Sequence, residues 1–199
     1  MATPGALRGA GGGSAFAELG GDPVEAVNRV AEQLSDGDEA NGEADVIVAE
    51  YHEGATAGTP DGATLEEEIA AGGAFADIVT QTHAEVDAIF TGHTHKQYVW
   101  DAPIPGGEGT RPVVQTGSYG ENIGVIDLAV DLETGAVMTS AGENVARVAE
   151  EDLTFPRVAE VKLITDEALA NAELVGNQPV GEITGDITTA FGGGSYVDG

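Results

Sequence analysis

The sequence has no cysteine, which excludes a disulfide framework, a thiolate metal site and a thiol nucleophile together. Any metal would have to be held by His, Asp, Glu or Asn. Cations are scarce: 7 Lys and Arg stand against 35 Asp and Glu, a formal net charge of −28. Nucleic-acid binding depends on cations that neutralise phosphates, so a basic-patch interface with nucleic acid is excluded, and a basic membrane-surface patch with it. No apolar run reaches the roughly 18 residues of a membrane-spanning helix, and no internal repeat is visible. The acidic residues are dispersed rather than massed in one tail, as a strongly solvated surface requires.

What is present is enough chain for a real core. With 199 residues, 41% of them hydrophobic, the length fits one domain, or one and part of another. The first segment, MATPGALRGAGGGSAFAELGG, has a single Arg and no continuous apolar stretch. It therefore fails as a secretory signal and is expected to be a disordered Gly/Ala-rich leader over residues 1–21.

Beyond it, helix and strand signals alternate. Asp22 reads as an N-cap, Pro23 as the first helical position and Glu25 as the partner of a capping box, ahead of Val24, Val27, Val30, Ala31 and Leu34 at helical spacing. The apolar core Val46, Ile47 and Val48 reads as a buried strand. A helix is expected over about Leu65 to Thr82, although Gly72 and Gly73 in its interior cost about 1 kcal/mol each relative to Ala. The run VDAIF reads as a second buried strand that delivers TGHTHKQ. Three short strands with Gly-containing turns follow: Pro112 to Thr116, Ile123 to Asp131, and a hairpin partner after ETG. A last helix is expected over about Pro156 to Val175, with a new strand opening around PVGEITGDIT.

Two of the four histidines sit one residue apart in the turn after the second buried strand. In an extended backbone His93 and His95 point to one side and Thr94 to the other. Two neutral imidazoles from one loop suit a borderline transition metal such as Zn, Mn or Fe. His52 stands in the same place relative to its own strand, in DVIVAEYHEG. If the two strands are parallel neighbours, their C-terminal ends bring His52, His93 and His95 into the crevice where such sheets bind ligands. Gly54 and Gly92 would let the backbone turn sharply there. On spacing alone a His-x-His pair also fits surface or hydrogen-bonded structural histidines, and His83, in a helical stretch without a companion, reads as structural.

Taken together, ADVIVAEYHEGA, VDAIFTGHTHKQY and RPVVQTGSYGENIGVIDLAVD resemble the later part of the calcineurin-like metallophosphoesterase domain of bacterial 5'-nucleotidases, a family that also includes bifunctional 2',3'-cyclic phosphodiesterases. The resemblance runs over about Asp22 to Val148. It implies an α/β fold, a four-layer α/β/β/α sandwich with mixed sheets, of which this chain would hold a part. It also implies a site for two divalent metal ions, with His52 and His93 as ligands of one and His95 of the other. The expected activity is hydrolysis of nucleoside 5'-phosphates or 2',3'-cyclic nucleotides by a metal-activated water, in an extracytoplasmic or secreted protein.

The sequence also departs from the family pattern. The family's Asp-x-His and Gly-Asn-His motifs are absent, and the Gly-Asp pairs at Gly21-Asp22, Gly37-Asp38 and Gly185-Asp186 lie in unmatched contexts. No catalytic general acid can therefore be assigned. The resemblance implies the C-terminal part of the metallophosphoesterase domain over 22–150, a linker helix over 151–176 and the start of a truncated further domain over 177–199. The expectation is a slice of a phosphohydrolase, weakly active or inactive alone. The alternative is a decayed, non-enzymatic acidic binding or structural module with relic histidines.

Overall fold

A computed structural model describes residues 22–185 together with the backbone of 191–192 and 195–196. The leader expected over 1–21 lies outside the described residues. The chain divides into two compact units, Met1–Arg147 and Val148–Gly199.

The first unit opens with helix α1, Pro23–Leu34, where the Asp22 carboxylate accepts from the Val24 amide at 2.8 Å and Pro23 takes the first turn. That satisfies one of the donors every helix start leaves unpaired. The full reciprocal capping box forms instead at helix α2, Leu65–Ala71, between Thr64 and Glu67. The single helix expected over Leu65 to Thr82 is two. Gly72 and Gly73 take φ/ψ of 74°/−168° and 84°/−169°, a region essentially restricted to glycine. Helix α3 then runs over Ala74–Gln81.

Four strands form a mixed sheet: β1 (Val48–Glu50), β2 (Ala88–Phe90), β3 (Gln97–Pro103) and β4 (Thr110–Thr116), in the order β1-β2-β4-β3. β1, β2 and β4 are parallel, and β3 runs antiparallel to β4. Strand β3 was not expected from the sequence. Its run QYVWDAP mixes polar and aromatic residues and ends in proline, and its pairing partner lies beyond a loop. Strands β5 (Asn122–Val130) and β6 (Val137–Ala146) form a separate antiparallel hairpin.

The period-two alternation of strands decides what each sheet face packs against. Ile89, Val113 and Tyr98 join one core with Val24 and Ala31 of α1, Leu65 of α2, and Phe75, Ile78 and Val79 of α3. Phe75 meets Tyr98 and Trp100 edge-on at 5.7 and 5.8 Å. The opposite parity, Phe90, Val114 and Val99, faces the hairpin at Gly124 and Gly142, where an added Cβ would press on those side chains. The described residues of this unit thus form three layers, helices, mixed sheet and hairpin, an α/β fold with a mixed sheet. A fourth layer is not among them.

One buried cation ties the helical layer to the sheet. Arg111, 1% exposed, donates to the carbonyls of Thr82, His83 and Val86 at 2.9, 2.6 and 2.9 Å. It therefore caps the C-terminal end of α3, where positive charge is favoured. Burial pushes its pKa down to about 10, so it stays charged at neutral pH.

In the second unit, helix α4 spans Pro156–Gly176 with no buried residue. Its exposed ion pairs, Lys162 to Asp166 at 2.8 Å and Arg157 to Glu160 at 2.9 Å, contribute little. Two-residue strands β7 (Phe191–Gly192) and β8 (Ser195–Tyr196) pair antiparallel. The strand expected around 179–188 does not form over 179–185, and its remainder lies outside the described residues.

Candidate metal centre

β1 and β2 are parallel neighbours in the register Glu50 to Phe90, so their C-terminal ends stop side by side. The ladder continues briefly past both: the Tyr51 amide donates to the Phe90 carbonyl at 2.9 Å, and the Gly92 amide to the Glu53 carbonyl at 3.1 Å. These bonds hold the loop after β1 against the loop after β2. His52 and His93, both exposed, meet there with Nε2 of His52 3.4 Å from Nδ1 of His93. Their rings lie edge to face at 5.1 Å between centroids.

That separation fits a shared ion. Two imidazole ligands at 2.0–2.1 Å from one tetrahedral ion would hold their nitrogens about 3.3–3.4 Å apart. The two nitrogens lie at the long limit for a hydrogen bond, and both rings are open to solvent.

The extended His-Thr-His backbone expected from the sequence is not what forms. His93 and His95 have φ of 66° and 59°, and the Thr94 amide donates back to the Gly92 carbonyl at 2.7 Å. His93 is therefore the centre of a γ-turn with positive φ, a rare and strained conformation. The imidazole of His95 lies edge-on against Tyr119 at 5.7 Å. Tyr119 also has positive φ, and with the two histidines it completes the set of non-glycine residues in that region among those described. Such strain clusters at ligand and active sites, where surrounding structure must hold it.

The glycines serve differently from expectation. Neither Gly54 nor Gly92 takes positive φ; the histidines supply the sharp turn. Gly54 allows close approach: a Cβ there would collide with Gln115 Oε1, the Gly92 carbonyl and Thr94 Oγ1. At Gly92 a Cβ would meet only His52 Nδ1 at 3.5 Å and the Tyr51 carbonyl at 3.7 Å, ordinary contacts.

Beneath the loops lies a buried polar network that the sequence reading missed. Tyr98 and Gln115, each 1% exposed, face each other across β3 and β4, and the Tyr98 hydroxyl donates to Gln115 Oε1 at 2.9 Å. The same hydroxyl accepts from the Ala55 amide at 3.1 Å and lies 2.6 Å from Thr91 Oγ1. Gln115 Nε2 donates to Thr94 Oγ1 at 2.8 Å. Burial pushes the Tyr98 pKa up to about 12. One signal was available: an amide inside the apolar strand PVVQT must find partners. Glu68, also buried, accepts from the Thr56 and Ala57 amides at 2.9 and 3.1 Å and secures the far side of the β1 loop.

Among the described residues no group of three or more His, Asp or Glu side chains converges on one point. The structure thus brings His52 and His93 together and turns His95 toward Tyr119. His83 lies elsewhere, in the turn after α3, where its Nδ1 accepts from the Glu85 amide at 3.3 Å.

No family model matches the chain. Over 127 residues, 64% of this chain, it is 27% identical to Endonuclease YhcR of Bacillus subtilis (strain 168). The match spans 9% of that protein's length, a distant similarity to a protein named as an endonuclease.

Proposed function

We propose that this chain contributes part of the divalent-metal centre of a phosphoester hydrolase of the 5'-nucleotidase type. Its substrates would be nucleoside 5'-phosphates or 2',3'-cyclic nucleotides. The observation that carries this reading is the 3.4 Å approach of His52 Nε2 and His93 Nδ1 at the C-terminal ends of two parallel strands. The distant similarity to a protein named as an endonuclease adds a link to phosphodiester chemistry. A small nucleotide suits the chain better than a polynucleotide, because a net charge of −28 repels an extended polyanion.

His52 and His93 would hold one ion. The assignment of His95 to a second ion rests on the family resemblance, since its ring is turned to Tyr119. The described residues fit part of one ion's shell and supply no clustered carboxylate to bridge two. A bound divalent ion supplies Lewis-acid polarisation of the phosphoryl oxygens and a water of lowered pKa. The chain's own contribution is to hold the two imidazoles at a fixed separation and leave them open to solvent. We propose the domain limits and the extracytoplasmic location with the same reading: phosphoesterase part over 22–150, linker helix over 151–176, start of a further domain over 177–199.

The test is calorimetric titration of the full chain with zinc and with manganese, beside His52→Ala, His93→Ala and His95→Ala. Binding should be lost in the first two variants and partly retained in the third. Hydrolysis of AMP and of a 2',3'-cyclic nucleotide is followed with and without chelator. Binding that is unchanged in both His52→Ala and His93→Ala sinks the ligand assignment and leaves the non-enzymatic alternative.

A further inference from the structure

We infer that Tyr98 and Gln115 are positioning residues: one buried pair clamps both histidine loops and sets the separation of His52 from His93. The inference rests on reading those two histidines as ligands, and it concerns what holds them.

The hydrogen bonds run to both loops from one place. On the His52 side the Ala55 amide, three residues beyond His52, donates to the Tyr98 hydroxyl. On the His93 side Thr91 Oγ1 lies 2.6 Å from the same hydroxyl, and Thr94 Oγ1 accepts from Gln115 Nε2 at 2.8 Å. The Tyr98 hydroxyl donates to Gln115 Oε1, and the Gln115 amide then presents its nitrogen to Thr94 Oγ1. A hydrophobic residue at 115 would satisfy neither, and a carboxylate could not donate to Thr94.

The geometry of the turn explains why a clamp is needed. Thr94 lies between two residues of positive φ, a conformation that non-glycine residues leave unless surrounding contacts over-determine it. Drawing the Thr94 side chain inward to Gln115 leaves its neighbours His93 and His95 directed away from the core, and both are exposed. Gly54 completes the arrangement, since it alone lets the β1 loop approach Gln115 Oε1, the Gly92 carbonyl and Thr94 Oγ1 at once. The pair is itself held from behind, where Asn144 of β6 donates to the Gln115 carbonyl at 2.8 Å and the Tyr98 carbonyl at 3.3 Å. Partners that orient metal-ligating histidines commonly change metal affinity by about 10–100-fold when removed.

The test uses the full chain with isotope-labelled histidines, first without metal and then titrated with zinc. Wild type should show cross-relaxation between the His52 and His93 rings. Thr94→Ser, which keeps the acceptor oxygen, should preserve that signal and bind zinc within about twofold of wild type. Thr94→Val and Gln115→Leu should lose the signal and weaken zinc about tenfold or more, while the ring signals of His83, remote from the network, stay in place. Thr94→Val with the wild-type cross-relaxation and zinc affinity overturns the inference, as does Thr94→Ser behaving like Thr94→Val. If Gln115→Leu disturbs His83 as well, it has lost the fold, and the substitution at the half-buried Thr94 decides. A wild-type chain that binds no zinc refutes the ligand reading instead, and the metal-free ring signals then judge the clamp by themselves.

Discussion

Replacing Tyr98 by Phe removes one oxygen from a nearly inaccessible site and keeps the ring. The ring matters because it stacks on Trp100 at 4.2 Å with 8° between planes and meets Phe75 edge-on; Phe preserves both contacts. The hydroxyl matters because of what it leaves behind. The Ala55 amide and Gln115 Oε1 lose their partner, while Thr91 Oγ1 retains the Val114 carbonyl at 3.2 Å. Two buried groups left unsatisfied, at roughly 1–3 kcal/mol each, give an expected destabilisation of about 2–6 kcal/mol. That is a large share of the roughly 5–15 kcal/mol typical of a folded domain.

Trp100 is the single tryptophan of the chain and touches the substituted ring, so urea unfolding followed by its fluorescence reports on this region. The pH dependence supplies an independent check. The folded Tyr98 pKa is raised from 10.0 to about 12, so its contribution is fully present below pH 10 and is lost as pH rises through 12. The gap between wild type and Tyr98→Phe should therefore narrow between pH 10 and 12. A destabilisation below about 1 kcal/mol at neutral pH, or a gap that stays constant through that window, would refute the account of this network.

Two further outcomes follow from the same geometry. Gly54→Ala drives a Cβ into a backbone carbonyl and two side-chain oxygens, and should destabilise by about 1–3 kcal/mol; Gly92→Ala, meeting only ordinary contacts, should stay within about 0.5 kcal/mol of wild type. Paired thermal melts compare them, and equal effects would show that the close approach at Gly54 is not real. Burial holds the Asp87 carboxyl above its usual range, with Glu85 adding to the rise and the Ile47 amide and Arg111 opposing it. The charged form is then disfavoured in the fold. Asp87→Asn, which can still accept from the Ile47 amide, should stabilise the chain at neutral pH, and the gain should vanish as pH falls below 3.8. Denaturant midpoints measured across that range decide, and a loss of stability at neutral pH would reverse the sign.

Much of the framework was legible because local chemistry and periodicity agree. Asp22 and Pro23 announce α1, and the apolar run ending at Phe90 announces β2; the buried strand expected at Val46 to Val48 forms two residues later, as β1 over Val48–Glu50, with Val48 itself exposed. The turn before Val137, with its single Gly135, marks the hairpin. The place of His52 and His93 after matching strands was enough to expect their approach once those strands paired in parallel. Strand β3 was not legible, because QYVWDAP becomes a strand only by pairing with β4. The break at Gly72 and Gly73 was visible as a cost but not as a stop.

The sequence by itself determined the absence of thiol chemistry, the acidic surface, the alternation of helix and strand, and the three histidines on which any metal reading depends. Only the tertiary structure decided which of them meet. The separation of His52 and His93 depends on the parallel register of β1 with β2, on a γ-turn that local propensity disfavours, and on Tyr98 and Gln115 reaching both loops from strands later in the chain. Those are long-range contacts, and a one-dimensional pattern carries the residue types but not the partner that overrules their local preference.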